Sequence, residues 1–330
     1  MSDGIRVGVN RYGWPTGAEL RQLAQLGAED LLLTRWQHDG IDSAMPVSEV
    51  WTERRLREIQ AHVRSAGLRL YAVQTLPVAL YDLLLGWPDV EAELQVVTET
   101  IRNLGAVGVD VLGYSGHPPD GFGRTGTVSV RGGATAARFD ADAVAATETV
   151  ADPPTEAALW EAYEGFLDRV LPVAEDAGVT LALHPSDPPV AEMGGVPLLF
   201  RDPESFERAM ALGPSDNHGL KFCIGSFSQM GVDVPAAIRS VGDDVVYVHF
   251  RDVVGSVPDF HETFLDDPAS NFDEFDLLDA LRDVGFEGVV MPDHVPALDG
   301  EPEWEYGGLG GYAYSVGYLR AMVRAAERYD

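Results

Sequence analysis

The chain has 330 residues, 45% of them apolar, enough to bury a large core and to exclude an intrinsically disordered protein. Its 53 acidic residues against 23 basic ones give a formal charge of −30, with Lys221 as the single lysine, which argues against nucleic acid or anionic membrane surfaces as partners. One cysteine, Cys223, excludes an intramolecular disulfide and a four-cysteine zinc site.

In chain order, MSDGIRVGVN has no basic stretch followed by an apolar run, so no secretory leader is expected. The first apolar run, 5–9, reads as a buried strand and is followed by helical spacing near 17–27. Strand 29–34 precedes a helix at 52–66, where Thr52 can cap the start and Gly67 stops the end. The alternation continues with strands at 69–74, 109–114, 179–183, 219–223, 245–249 and 287–291. Helices are expected near 88–105, 155–177, 203–212, 232–241, 273–284 and 312–328. Strands that read as continuous apolar runs belong in a parallel sheet covered on both faces. Eight such units in one chain predict a single (β/α)₈ barrel domain over 1–330, an α/β fold of the xylose-isomerase-like kind. No GxGxxG follows the first strand, which lowers the dinucleotide-binding alternative.

Two long stretches, 115–150 and 250–272, read as irregular loops at the C-terminal face, where barrel enzymes keep their chemistry. No stretch approaches the roughly 18 apolar residues of a membrane span, so the cytoplasm is the expected location. A charge excess this large repels itself in dilute solution and is tolerable where salt shortens the screening length, which predicts a salt-rich host.

Four consecutive strands end on side chains that bind metals. These are His184 after the fifth strand, Cys223 at the end of the sixth, His249 at the end of the seventh, and Asp293 just past the eighth, with His294 next to it. Each has an ordinary reading alone: a small hydrophobe, a hydrogen-bonded histidine, a turn former. Together on one rim they are the donor types of a divalent first-row metal, and four protein ligands can leave positions open for a substrate.

The motifs HPSDPP (184–189), FCIGSFS (222–228), VHFRDV (248–253), FHETFLDD (260–267) and MPDHVP (291–296) stand in this order. Upstream are Arg11-Tyr12-Gly13, PVSEVW at 46–51, IRNLGAVGVDVLGYS at 101–115, and GRTG followed by ARFD. Together they resemble the mannonate dehydratase family. The resemblance implies a (β/α)₈ barrel that converts D-mannonate to 2-keto-3-deoxy-D-gluconate and water, with Mn²⁺, or Fe²⁺ or another divalent first-row ion, as cofactor. It makes His184, Cys223, His249 and Asp293 the metal ligands. It makes His294 catalytic, together with a tyrosine of the glycine-rich C-terminal loop, Tyr312, with Tyr314 as its rival. One of the pair would take the C2 proton and the other would protonate the departing C3 hydroxyl.

Arg124 sits at the family's arginine position and is expected to bind a carboxylate. His261 and Glu262 are expected to orient substrate hydroxyls. Asp187 would hold a ligand histidine or form an Asp-Pro turn, and Tyr12 and Trp51 would be pocket walls. The chain departs from the family at Ser186, where aspartate is common, and at Gly121, where an aspartate is usual although Asp120 adjoins it; it also lacks an insertion after the fourth strand. These departures touch the substrate face. The competing readings are a metal-dependent sugar isomerase or epimerase, which favours a carboxylate-rich site with a lysine or paired glutamates, and a silent sugar-acid binding protein. The expected partner is a small sugar acid, and the expected assembly a homodimer.

Overall fold

Apolar runs with no polar face need cover on both sides, and the chain provides it by closing its main strands into a barrel and ringing them with helices. The computed structural model describes residues 4–34, 48–86, 89–116, 123–144, 152–301 and 307–328. Its strands are β1 (Arg6–Tyr12), β2 (Asp30–Thr34), β3 (Arg69–Val73), β4 (Val111–Ser115), β5 (Gly126–Ser129), β6 (Thr135–Asp140) and β7 (Thr180–His184). There follow β8 (Glu192–Met193), β9 (Val196–Pro197), β10 (His218–Cys223), β11 (Val245–Phe250), β12 (Asp252–Ser256), β13 (Asp259–Thr263) and β14 (Val289–Pro292). The closed parallel barrel runs β1-β2-β3-β4-β7-β10-β11-β14 and back to β1, so its eight strands neighbour one another in chain order.

The helices are α1 (Gly17–Leu26), α2 (Glu53–Ser65), α3 (Leu80–Leu85), α4 (Val90–Val107) and α5 (Glu156–Ala177). The second half adds α6 (Pro203–Leu212), α7 (Ile224–Gln229), α8 (Val234–Val241), α9 (Glu274–Asp283) and α10 (Leu309–Arg328). Their starts follow from side-chain caps. The Thr16 hydroxyl accepts from the Glu19 amide while Glu19 returns to the Thr16 amide, and Thr52 accepts from the Arg55 amide.

Within the barrel, Leu32, Ala72, Val111, Ala182, Tyr247, Val289 and Met291 form an apolar plug. Gly8 belongs to the same layer: a Cβ there would lie 2.5 Å from Val289 Cγ1 and 2.8 Å from Leu32 Cδ1, so only glycine lets β1 approach. The plug closes the barrel from below and leaves the strand ends above it to polar side chains.

The structure departs from the sequence expectations in three places. The stretches 115–150 and 250–272, expected to be irregular, supply β5, β6, β12 and β13, which join in one antiparallel sheet in the order β12-β13-β6-β5. Phe260 pairs with Phe139 and His261 with Arg138, and Phe139, Phe260 and Val253 bury one another beneath the sheet. Helices α3 and α7, six residues each, are too short to show a period. Finally, α10 begins at Leu309, so Tyr312 lies in its first turns and not in a loop.

Candidate metal and proton-transfer site

His184 closes β7, Cys223 closes β10 and His249 lies one residue from the end of β11; all three are buried, with ligand atoms within 4.8 Å of one another. Metal–ligand bonds to nitrogen and sulfur are on the order of 2.0–2.3 Å, so donors with this mutual spacing can share one ion. Asp293, directly after β14, adjoins two of them: its Oδ1 is 3.4 Å from His249 Nδ1 and its Oδ2 is 3.9 Å from Cys223 Sγ. His184 donates through Nδ1 to the Pro185 carbonyl at 2.7 Å, which assigns its lone pair to Nε2. His249 Nδ1 is buried and has no hydrogen-bond partner among the described residues. Two imidazoles, a thiol and a carboxylate, one nitrogen orphaned, fit a divalent first-row ion.

Burial pushes the Cys223 thiol up to about 11. A divalent cation is the kind of neighbour that overrides such burial and yields the thiolate. Burial works against the Asp293 charge as well, but His249, His294 and Arg251 hold its carboxyl well below the usual range. Lys221 lies two residues before Cys223 and so shares its face of β10. Its buried ammonium donates to the Gln74 carbonyl at 3.1 Å, and burial pushes it down to about 8. A lysine base is thus closer to this site than its place in the sequence suggests.

Beside the cluster lies a buried network of two guanidinium groups and two carboxylates. Arg124 grips Asp187 with two bonds of 2.9 and 3.0 Å and reaches Glu262 Oε1 at 2.6 Å. Arg251, wholly buried, donates to Asp187 Oδ2 at 2.6 Å and to Ser226 at 3.1 Å, and it lies 3.3 Å from both Glu262 Oε1 and Asp293 Oδ2. Burial alone would raise both carboxyls. The two arginines and His294 instead hold Asp187 well below its usual range and Glu262 at about 2.

His294 Nδ1 lies 2.6 Å from Glu262 Oε1 and 2.8 Å from Arg251 Nη1. Glu262 Oε1 can only accept and Arg251 Nη1 can only donate, so Nδ1 meets both at once: it donates to Glu262 in the tautomer that leaves the lone pair on Nε2 and accepts from Arg251 in the other.

Glu262, expected to orient substrate hydroxyls, here meets His294 and the two arginines. His261, its neighbour on β13, points to the opposite face by strand alternation. Asp187 faces the arginines, and the carboxylate that Arg124 binds with both nitrogens is this one. Tyr312 is fully buried and its hydroxyl accepts the Asn10 amide at 2.6 Å, whereas the Tyr314 hydroxyl donates to the Leu265 carbonyl at 3.2 Å. Tyr12 ends β1 half-buried. Trp51 is fully buried and bonds through its backbone to Thr100 and Asn103 of α4, in the outer helical shell. Ser186 is buried and donates to the Gly116 carbonyl at 3.3 Å. Asp120, Gly121 and the first two residues of PVSEVW lie outside the described residues.

The sequence reading did not single out Arg251, although VHFRDV contained it. The available signal was its spacing: two residues beyond His249, it follows the same alternation, and an arginine directed inward needs carboxylates.

The family profile described as D-mannonate dehydratase (UxuA) matches residues 5–152 and 153–330. A mannonate dehydratase from Streptococcus uberis is 29% identical over 317 residues, covering 86% of this chain and 90% of its own. One from Oceanobacillus iheyensis is 26% identical over 315 residues, covering 87% and 89%. The crystal structure of mannonate dehydratase from Streptococcus suis serotype 2 superposes with a TM-score of 0.88 at 25% identity, covering 98% of this chain and 95% of that one. A D-tagatose 3-epimerase-like protein, with a TM-score of 0.63 at 13% identity over 98% of this chain and 99% of its own, shares the fold.

Proposed function

The chain belongs to the D-mannonate dehydratase family, and on that premise we propose that it removes water from D-mannonate to give 2-keto-3-deoxy-D-gluconate. The observation that carries the mechanism is His294: it stands beside Asp293 of the metal-ligand cluster, with Nδ1 bound to an ionised, buried Glu262. Dehydration removes a proton from the carbon next to a carboxylate, a very weak acid, so the developing negative charge needs a strong positive neighbour. A divalent ion held by His184, Cys223, His249 and Asp293, with Mn²⁺ as the proposed species, would supply that charge when bound.

The chain's own residues do the rest. His294 takes the C2 proton on Nε2, Glu262 stabilises the imidazolium that results, and the imidazolium returns that proton to the departing C3 hydroxyl so that water leaves. Arg124 and Arg251 keep Glu262 and Asp187 ionised and fixed, so that the imidazole does not rotate. The Tyr312 hydroxyl, bound to the Asn10 amide, supports the β1 end of the site; proton transfer is assigned to His294. The proposal also takes 1–330 as one barrel domain, a homodimer as the assembly and the cytoplasm as the location. Among the described residues no helix is long and apolar enough to cross a membrane. Sedimentation of the purified chain tests the dimer.

The test is incubation with D-mannonate and Mn²⁺ followed by a 2-keto-acid assay. A dehydratase yields keto acid, an epimerase another aldonate, and a binding protein no product. His294→Asn is expected to keep its metal content and lose kcat by at least ~10²-fold, the lower end for a general acid or base. A variant that still exchanges the C2 hydrogen with solvent has lost the acid; one that neither exchanges nor eliminates has lost the base. Loss of metal along with His294 would make it a ligand and overturn the assignment.

A further inference from the structure

Just beyond β3 stands a neutral polar side chain that the mechanism above does not use. Gln74, one residue past β3, is buried, and its side-chain Oε1 lies 2.6 Å from His249 Nε2. The direction of the amide is set by its other neighbours. The Thr34 hydroxyl donates to Asn10 Oδ1 at 2.7 Å, so both oxygens can accept from Gln74 Nε2, at 3.0 and 2.8 Å. The Gln74 backbone carbonyl is held in turn by the Lys221 ammonium at 3.1 Å. With its nitrogen committed to β1 and β2, the amide presents its oxygen to His249.

An amide oxygen only accepts. His249 must therefore carry its proton on Nε2, which leaves the lone pair on Nδ1. That nitrogen is the buried one with no hydrogen-bond partner among the described residues, and it faces Asp293 Oδ1 at 3.4 Å. We propose that Gln74 is a positioning residue of the metal centre, fixing the tautomer and the rotation of His249 so that Nδ1 points into the His184–Cys223–Asp293 cluster. Asn10 and Thr34 act through it by holding the amide. The inference rests on the metal reading above and extends it to three strands that carry no ligand. It also gives Tyr312 a place, since its hydroxyl accepts the amide of Asn10, the residue that braces Gln74.

The experiment is titration of the metal-free protein with Mn²⁺ by calorimetry and with Co²⁺ by absorption spectroscopy. Gln74→Met keeps the volume and removes the acceptor; it should weaken binding about 10- to 100-fold and alter the Co²⁺ bands, as loss of a ligand-orienting partner does. Gln74→Glu restores an acceptor for the Nε2 proton and should bring affinity back to within a few-fold of wild type, a rescue that a packing role does not predict. Cys223→Ser serves as the control for the site itself. If Cys223→Ser loses the ion while Gln74→Met binds as wild type does, the positioning role is wrong. If Cys223→Ser also binds as wild type does, the metal reading has failed first. Should Gln74→Met not fold, Thr34→Val removes one of the two braces and should weaken binding several-fold; unchanged binding there overturns the proposal.

Discussion

Arg251 and Asp252 are chain neighbours, both fully buried, and their side chains enter opposite electrostatic surroundings. On the Arg251 side, two guanidinium groups face Asp187 and Glu262, and both carboxyls are held down against the effect of burial. On the Asp252 side, the carboxylate meets Glu274 at the start of α9, with Asp267 near it, and neither Asp252 oxygen has a hydrogen-bond partner among the described residues. Burial and these acidic neighbours push Asp252 well above its usual range. Arg251 and Asp252 thus stand between two carboxyls pushed below their usual range and one pushed above it. What separates them is the presence of a guanidinium, since burial is common to both.

The largest expected effect comes from removing that guanidinium. Arg251→Met leaves Asp187 and Glu262 with Arg124 alone and should cost about 3–5 kcal/mol in a denaturant titration, the range for breaking a buried ion pair. A loss near zero would mean that Arg124 compensates the cluster by itself, and the contrast with Asp252 would then rest on one arginine.

Intermediate effects come from pH, and the two sides should respond with opposite sign. The folded Glu262 titrates at about 2, below its ordinary value. Its contribution is therefore present above the unfolded carboxyl range and is lost as pH falls toward 2. Glu262→Gln should destabilise at neutral pH, by a margin that shrinks in acid. Asp252 titrates above its ordinary value, so its contribution is present in acid and lost as pH rises through the folded value. Asp252→Asn keeps the shape of the side chain and carries no charge. It should raise Tm at pH 8 and leave it unchanged at pH 4, with about 1.4 kcal/mol for each unit separating the folded and unfolded titrations. A variant less stable than wild type at pH 8 would show that Asp252 is ionised and compensated.

The smallest effect per group lies at the surface. Exposed pairs such as Arg239–Asp283 and Arg169–Glu91 are screened by salt, as is the repulsion among the acidic residues behind the charge of −30. Net repulsion dominates, so Tm should rise from dilute to molar salt, whereas the loss caused by Arg251→Met should hardly change. A Tm that stays flat or falls with salt would remove the basis for a salt-rich host.

Much of this was legible in the chain itself. The strand ends at His184, Cys223, His249 and Asp293 could be placed because each lies at the boundary of an apolar run, and runs in chain order become neighbours in a barrel. Tyr312 was harder: a glycine-rich stretch reads as a loop, yet the structure starts α10 at Leu309 and buries the ring. The split between His261 and Glu262 could have been read from strand alternation, had the segment been recognised as β13.

The sequence by itself determined the repeat of strands and helices, the closed barrel and the gathering of side chains of metal-ligand type on one rim, because each depends on local periodicity and on chain order. Only the tertiary structure decided which polar groups meet there. Gln74 reaches His249 across 175 residues and Arg124 reaches Glu262 across 138, and β6 pairs with β13 from a different part of the barrel. No local period encodes such contacts. They exist because closing the barrel brings distant strand ends within a hydrogen bond of one another, and burial there leaves each polar group no partner but the ones it finds.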